Sequence, residues 1–373
     1  MPQEEILRFE QVSKFFPGVV ANDKVDLTIY TGEVHSLLGE NGAGKSTLMN
    51  ILYGLYKADE GTIYYEGKPA QIASPYDAIH NGIGMIHQHF MLIPTFTVWE
   101  NVVLGHKQEK GIVIPEEQRI KEVADLSQRL NLQLDVKSLV GDLAVGMQQK
   151  VEILKAVYRG SRLLILDEPT SVLTPQEANE LVSILEQLKK DGCTIIFISH
   201  KLQEVMRISD RISVLRDGHL IETRDVKDCT PEILTSLMVG RDVEMDLHKT
   251  PAKPGAVALE VKDLCKETGS HATSLKNINI QVHAGEIVGI AGVDGNGQST
   301  LAAVISGIGS ADQGKVFFHG EDVTKKSVRD RTEEGFSYVP ADRRGEGLTM
   351  NFKLYENTAL TQYYKKPYSK NGL

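Results

Sequence analysis

The sequence predicts an α/β fold that is built around a phosphate-binding loop. Residues 39–46, GENGAGKS, match the pattern G-x-x-x-x-G-K-[ST] without a gap. An apolar run at residues 34–38 precedes the loop and suits a buried strand, and a helix-forming run follows it. A second apolar run ends in Asp167 and Glu168. Since ligands bind at the carboxyl ends of strands in open α/β sheets, these acids are expected to lie near the loop.

The residues of the loop predict a nucleotide site. Gly39, Gly42 and Gly44 let the backbone curl around a polyphosphate, where a side chain would intrude. Lys45 would reach the β- and γ-phosphates, and the Ser46 hydroxyl would bind Mg²⁺. Backbone N–H groups and the N-terminus of the following helix favour a bound anion. The predicted nucleotide-binding residues are Gly39, Glu40, Asn41, Gly42, Ala43, Gly44, Lys45, Ser46 and Thr47.

Bulk properties narrow the class of protein. The 373 residues are too many for one core and indicate two or three domains. The net charge of −9 disfavours a nucleic-acid partner, which normally calls for a basic face. The three cysteines are widely spaced and indicate neither a zinc site nor a disulfide framework. No apolar stretch approaches the ~20 residues that span a bilayer, and the acidic start lacks the features of a signal peptide. A cytosolic protein is predicted.

Residues at five further positions are candidates for catalysis or base binding. Asp167 is predicted to hold Mg²⁺ through water, and Glu168 to polarise the attacking water as general base. Gln88, at the end of a predicted strand, can bind Mg²⁺ or orient that water. For Phe16 and His200 the residues alone leave two readings open: base stacking or core for the aromatic ring, and catalysis or structure for the histidine.

The order of these features resembles the nucleotide-binding domain of an ABC transporter. Five motifs between residue 5 and about residue 240 carry the resemblance: the phosphate loop, Gln88, residues 143–149, the Asp-Glu strand and His200. The resemblance implies that Phe16 stacks on adenine and that Gln88 forms the Q-loop. It also implies that residues 171–174 form the D-loop, that His200 contacts the γ-phosphate and that Glu168 is the catalytic base.

The signature segment departs from the usual family pattern. Its predicted residues are Leu143, Ala144, Val145, Gly146, Met147 and Gln148, at the start of a helix. The usual L-S-G-G-Q has Ser and Gly where Ala144 and Val145 stand, and the usual D-loop has Asp where Thr174 stands. In this family the signature clamps ATP that an opposing domain binds, so the resemblance implies a head-to-tail dimer of ABC domains. We expect both departures to weaken the site that this segment closes.

The first domain is repeated later in the chain. The resemblance implies a mixed sheet core with an antiparallel β subdomain and a helical subdomain at about residues 90–160. The predicted boundaries are a first ABC nucleotide-binding domain at residues 1–241, a polar linker at 242–256, and the N-terminal part of a second domain at 257–373. Residues 285–301 overlay residues 32–48 without a gap. The predicted degenerate second site consists of Gly292, Gly295, Gly297, Gln298, Ser299 and Thr300, with Gln298 in the place of Lys45. Weak binding and slow or absent hydrolysis are expected there.

The second copy ends before it reaches a signature segment, an Asp-Glu strand or a histidine. We therefore expect a truncated and poorly buried second domain, slow basal ATPase activity of the isolated chain, and a solvated tail at residues 363–368.

The tandem arrangement resembles the ATPase of bacterial importers for simple sugars and nucleosides. Residues 339–348 match that family's V-P-x-D-R-x-x-x-G-L segment, and residues 292–298 favour the nucleoside branch. The resemblance implies ATP and Mg²⁺ as cofactors, and membrane permease subunits with an extracellular or periplasmic substrate-binding protein as partners. It implies docking near residues 88–101 and a cytoplasmic location, peripheral on the inner face of the membrane. The alternative is a soluble tandem ABC ATPase on ribosomes or DNA, which usually carries a charged linker or two intact sites.

Overall fold

A computed structural model describes the chain at residues 4–88, 90–105, 116–171, 173–241, 253–269, 273–292 and 295–369. The chain divides into two compact units, Met1–Leu247 and His248–Leu373. Most of the predicted linker, residues 242–252, lies outside the described residues. The predicted domain boundaries therefore stay a prediction.

The first unit contains a six-stranded mixed sheet and a four-stranded antiparallel sheet, which confirms the predicted fold class. The central sheet has the order β10-β9-β3-β8-β7-β6, and the antiparallel sheet has the order β2-β1-β4-β5. The strands are β1 (Glu5–Phe16), β2 (Val19–Tyr30), β3 (Val34–Leu38), β4 (Glu60–Tyr65), β5 (Lys68–Pro69), β6 (Ile83–Ile86), β7 (Leu163–Asp167), β8 (Thr194–Ile198), β9 (Arg211–Arg216) and β10 (His219–Asp225).

Helices cover the central sheet and form the predicted helical segment. They are α1 (Lys45–Leu52), α2 (Pro75–His80), α3 (Val98–Val103), α4 (Glu116–Arg129), α5 (Val145–Tyr158), α6 (Pro175–Lys190), α7 (Leu202–Ile208) and α8 (Pro231–Val239). In α4, Val123 and Ser127 are buried on one face, the pattern of an amphipathic helix. Across the described ranges, every helix is too short or too polar to span a bilayer.

The central sheet separates two apolar cores. Successive side chains of a strand point to opposite faces, so β7 contributes Leu163 and Ile165 to one core and Leu164 and Leu166 to the other. The first core contains the antiparallel sheet and α1, and the second contains α3 to α8. Because both faces are covered, the parallel strands read as continuous apolar runs. At the carboxyl ends of β6, β7 and β8, polar residues follow the apolar runs.

The second unit repeats the antiparallel part of the first. Its elements are β11 (Val257–Lys266), β12 (Leu275–His283), α9 (Gln298–Ser306), β13 (Gln313–Phe318), β14 (Glu321–Asp322), α10 (Val328–Glu333) and α11 (Leu354–Ala359). Gln11 in β1 and Asp263 in β11 both have a left-handed backbone, with φ of 51° and 47°. In each case the residue's N–H donates to a side-chain oxygen of the neighbouring strand at 2.9 Å. The two units therefore share this left-handed strand residue and its hydrogen bond as well as their sequence similarity.

Two apolar runs of the second unit are poorly buried, as expected. Ile287 is 97% exposed in the run that overlays β3, and Val339 is 87% exposed in the run that corresponds to β6. Among the described residues of this unit, no strand pairs with either run. The predicted solvated tail is partly wrong: the Tyr364 ring lies 3.5 Å from the Arg329 guanidinium, and its hydroxyl donates to Glu333 at 2.8 Å. This stretch packs against α10 through an aromatic ring.

Candidate nucleotide-binding site

The phosphate loop joins β3 to α1 and has the geometry of an anion cradle. Gly44 adopts φ of +98°, and a Cβ at this position would lie 2.2 Å from the Ala21 carbonyl oxygen of β2. Only glycine avoids both the strained backbone and the clash. The N-terminus of α1 has no side-chain cap and no acidic residue in its first turn. Its N–H groups and its dipole are therefore available to a phosphate.

Lys45 is held inside this loop. Its side chain is 6% exposed, and Nζ donates to the carbonyl oxygens of Gly39 at 2.8 Å and Glu40 at 2.9 Å. Burial lowers the pKa of Lys45, while the carboxylates of Glu168 and Asp167 oppose that shift. Two backbone carbonyls thus hold the ammonium group, and it interacts electrostatically with the acids at the end of β7.

Asp167 lies against the start of α1. The Ser46 hydroxyl donates to Asp167 Oδ1 at 3.3 Å. Burial raises the pKa of Asp167, the Ser46 hydrogen bond opposes this, and the neighbouring Glu168 carboxylate adds to it. A hydroxyl and a carboxylate at this spacing are the oxygen ligands with which Mg²⁺ binds proteins when phosphates supply the others. The residues present therefore fit a magnesium ion.

Two further candidates, Gln88 and His200, converge on Glu168. Gln88 Nε2 donates to Glu168 Oε2 at 3.4 Å, and His200 Nδ1 lies 3.1 Å from Glu168 Oε1. Each of the three residues follows a parallel strand, and these strands, β6, β7 and β8, are neighbours in the sheet. Glu168 itself has a left-handed backbone with φ of +48°, a conformation that costs of order 1–3 kcal/mol. This strained turn directs the carboxylate between the amide and the imidazole.

Phe16 lies at the tip of the β1–β2 hairpin and is half-buried rather than part of the core. The Tyr56 ring meets it edge to face, with ring centroids 5.4 Å apart. Tyr56 is 41% exposed and follows the end of α1. Sequence reasoning missed this tyrosine; the available signal was a large aromatic residue shortly after the phosphate-loop helix.

The signature segment opens α5. The N-cap Ala144 makes no side-chain hydrogen bond, so the first N–H groups of this helix have no capping side chain. Gln148 Nε2 donates back to the Leu143 carbonyl at 2.9 Å. Within the described residues, no hydrogen bond joins this segment to the phosphate loop of the same unit. The structure thus does not bring these two predicted groups of residues together.

Glu177 of α6 ties the D-loop to the signature helix, and sequence reasoning missed it. Glu177 Oε2 accepts the Thr174 N–H at 2.8 Å and Thr174 Oγ1 accepts the Glu177 N–H at 3.3 Å, which forms a capping box at the start of α6. The Thr174 hydroxyl also donates to Glu177 Oε2 at 2.8 Å. A Cβ added to Gly146 would lie 2.2 Å from Glu177 Oε1. Thr174 therefore supplies the N-cap that an Asp could also supply. The spacing T-x-x-E predicts this cap, but it does not predict the contact with the signature glycine.

We expect Gly146→Ala to destabilise the protein, although Gly→Ala inside a helix normally stabilises it by about 1 kcal/mol. The added methyl group displaces the Glu177 carboxylate and removes its capping contacts with Thr174. The expected change in the free energy of unfolding is a loss of about 1–2 kcal/mol, measured by denaturant unfolding. The control is Gly289→Ala, because nothing lies within 4 Å of a Cβ at that position. A Gly146→Ala protein that is more stable than the parent would contradict the contact.

The described residues of the degenerate second site keep the backbone angles of two loop glycines and change the chemistry. Gly295 and Gly297 have φ of +81° and +91°, close to the +89° and +98° of Gly42 and Gly44. A Cβ at Gly292 would lie 2.1 Å from Gln298 Nε2, so the glutamine amide folds over this glycine. The loop therefore contains a neutral amide where the first unit has an ammonium group.

Histidines near the site do not form a cluster in the described residues. His80 stacks on Tyr76 with centroids 6.3 Å apart, whereas His87 meets Tyr53 edge to face at 5.7 Å. His89, the third histidine of this stretch, lies outside the described residues. Each of the two described imidazole rings thus packs against a different tyrosine.

A glycine-rich loop after β3, a buried lysine and two acids at the end of β7 in the same sheet define a P-loop ATPase. The chain belongs to the ABC transporter family, whose family model matches residues 22–171 and 275–371.

The chain aligns over nearly its whole length with several known proteins. It is 46% identical over 372 residues to a nucleoside import ATP-binding protein, NupA, of Lactococcus lactis, with 100% of this chain and 74% of the relative covered. It is 46% identical over 370 residues to a guanosine import ATP-binding protein, NupO, of Bacillus subtilis, with 99% and 72% covered. A glucose import ATP-binding protein, TsgD13, of Haloferax volcanii is 44% identical over 395 residues, with 97% and 71% covered.

The fold also matches that of a solved structure. The ADP conformation of an ATP-binding cassette of an ABC transporter superimposes with a TM-score of 0.57 at 29% identity. The match covers 64% of this chain and 99% of that cassette. One cassette therefore accounts for most of the first unit.

Proposed function

We propose that this chain is the ATP-binding and hydrolysing subunit that drives import of a nucleoside through a membrane permease. The observation that carries the proposal is the 46% identity, over 372 and 370 residues, with ATP-binding proteins of nucleoside and guanosine import. The first unit adds the chemistry, because its loop, lysine and acids lie together. Simple sugars are the second class of solute, since a glucose import protein is 44% identical.

In this proposal the first unit holds ATP with magnesium. Lys45 and the loop amides bind the phosphates, and the rings of Phe16 and Tyr56 bind the adenine. Ser46, Asp167 and Gln88 would hold Mg²⁺, which when bound would supply positive charge beside the phosphates. Asp167 is buried, so water would screen its attraction for the ion less than at the surface.

Glu168 accepts a proton from the attacking water in this scheme. The 3.4 Å contact from Gln88 and the 3.1 Å contact from His200 fix the position of its carboxylate. Because the signature segment makes no hydrogen bond to the phosphate loop of its own unit within the described residues, we propose that it closes a site on an opposing domain in a head-to-tail dimer. The uncapped N-terminus of α5 would then face the γ-phosphate.

The second unit is proposed to be a regulatory or weak site rather than a second active one. Gly295 and Gly297 have backbone angles close to those of Gly42 and Gly44, but Gln298 replaces the ammonium group that a phosphate would contact. The proposed boundaries are those predicted above, at residues 241 and 257.

The permease is proposed to dock beside the Q-loop. A depression of about 360 Å³ lies there, and its lining residues are Gln88, Phe90, Leu92, Pro94, Val140, Gly141, Val145 and Gln148. A partner helix that fills it would contact both Gln88 and the signature segment. The chain would then lie on the cytoplasmic face of the membrane, bound to permease subunits that receive the solute from a substrate-binding protein.

Uptake in the source cells tests the proposed function. Deletion of the gene should abolish uptake of labelled guanosine, and the wild-type gene should restore it, whereas a Lys45→Ala gene should not. Labelled ribose and galactose, measured in parallel, distinguish nucleoside import from sugar import. Normal uptake of all three solutes in the deletion strain would refute transport, and co-sedimentation of the chain with ribosomes instead of membranes would favour the soluble alternative.

A further inference from the structure

Met91 lies three residues after Gln88, in a stretch without regular secondary structure, and α5 holds both of its backbone polar groups. Glu152 Oε1 accepts the Met91 N–H at 2.6 Å. Lys155 Nζ donates to the Met91 carbonyl at 2.9 Å and lies 3.4 Å from Glu152 Oε2. We call these contacts the Met91 clasp. An irregular stretch cannot satisfy its own backbone groups, so the clasp fixes where this stretch lies.

The clasp uses charged groups in a position that is otherwise apolar. The side chains of Glu152 and Lys155 are 6% and 15% exposed, and the residues on either side of Glu152, Val151 and Ile153, are fully buried. Removing a carboxylate from water is unfavourable unless strong hydrogen bonds replace the water. Here a backbone N–H and an ammonium group replace it. An apolar residue at position 152 would also pack in α5. The hydrogen bond to Met91 therefore explains why a glutamate is present there.

The clasp lies between two parts of the candidate site. On one side, Gln88 reaches the Glu168 carboxylate at 3.4 Å. On the other side, Glu152 follows Gly146 by six residues on the same helix, about 9 Å at the usual rise per residue. A shift of α5 therefore displaces Met91, and with it the backbone that carries Gln88.

We propose that Glu152 and Lys155 are positioning residues for ATP hydrolysis, which fix the Gln88 stretch to the signature helix and keep the Gln88 amide within reach of Glu168. This inference rests on the proposed function, because it assigns the two residues to the hydrolytic step. The phosphate loop lies outside the clasp. Loss of the clasp should consequently slow hydrolysis and leave nucleotide affinity unchanged.

The test is a double-mutant cycle in the full chain with Glu152→Ala and Gln88→Ala. Glu152→Ala should lower kcat about tenfold, because a small misplacement of a catalytic group is costly, while KM for ATP stays within about twofold. The double variant should be no slower than Gln88→Ala alone, because Glu152 acts through Gln88. Glu152→Gln keeps an oxygen acceptor for the Met91 N–H and should retain most of the activity. A loss in the double variant that equals the product of the two single losses would overturn the proposal.

Amide hydrogen exchange of residues 90–93 gives a second measurement that needs no activity. Exchange should accelerate in Glu152→Ala. The matched control is Glu180→Gln, which removes the carboxylate partner of another α5 lysine, Lys150, at 2.9 Å; it should change neither exchange nor kcat. Unchanged exchange in Glu152→Ala would refute the clasp.

The two failures are distinguishable. If Lys45→Ala hydrolyses ATP as fast as the parent chain, the proposed function fails. If Lys45→Ala is inactive but the losses at Glu152 and Gln88 multiply, only the inference about the clasp fails.

Discussion

Glu168→Gln should abolish ATP hydrolysis and leave ATP binding intact. Glutamine keeps the shape of the side chain and can still contact Gln88 and His200, but it cannot accept a proton from water. General-base catalysis contributes about 10²–10⁴-fold, so we expect single-turnover hydrolysis to fall by at least about 10²-fold. The dissociation constant of ATP should stay within a few-fold, since the phosphate loop is unchanged. Binding is measured by fluorescence of a labelled nucleotide, and hydrolysis by release of phosphate.

A matched control for this variant is Glu60→Gln, an exposed glutamate of β4, which should hydrolyse ATP at the parent rate. Uptake of the solute in cells should be lost with Glu168→Gln and unaffected with Glu60→Gln. Hydrolysis by Glu168→Gln at close to the parent rate would show that another group takes the proton, and unchanged uptake would separate hydrolysis from transport.

Lys45→Ala should weaken ATP binding by about 100-fold, which corresponds to about 2.7 kcal/mol. The ammonium group is 6% exposed and is held by two backbone carbonyls, so it reaches the phosphates already oriented and partly desolvated. A charge-assisted hydrogen bond in such a site is stronger than one in water. Titration calorimetry with ATP and Mg²⁺ measures the change.

The control is Lys68→Ala, which removes an exposed lysine of β5 and should bind ATP as the parent chain does. Circular dichroism confirms that each variant is folded. Tight ATP binding by Lys45→Ala would mean that the nucleotide is held elsewhere, and the assignment of the site would then be wrong.

Most of the site was predictable because its residues follow strands that can be recognised from their composition. Parallel strands buried on both faces read as apolar runs, and polar residues after such runs must lie at one edge of the sheet. Gln88, Glu168 and His200 each follow a strand in this way, and the structure places Gln88 and His200 within 3.4 Å of the Glu168 carboxylate. Their individual roles stay predictions.

Contacts between helices could not be read in the same way. Glu177 against Gly146 joins α6 to α5, and Glu152 with Lys155 joins α5 to Met91. The residues in each pair are about 30 to 60 positions apart, and no local pattern relates them. From the sequence alone, Glu152 in the signature helix would be expected to be solvated. Only its neighbours in the structure show that it is buried.

The sequence by itself determined the nucleotide loop, the acids, the repeat of the first unit and the replacement of Lys45 by Gln298, because these depend on residue type and local spacing. The tertiary structure decided the left-handed turn at Glu168, the edge-to-face ring of Tyr56 and the burial of Glu152 and Lys155 around Met91. Those features depend on which surfaces meet when the sheet and helices pack, and packing is set by the whole chain rather than by any one segment.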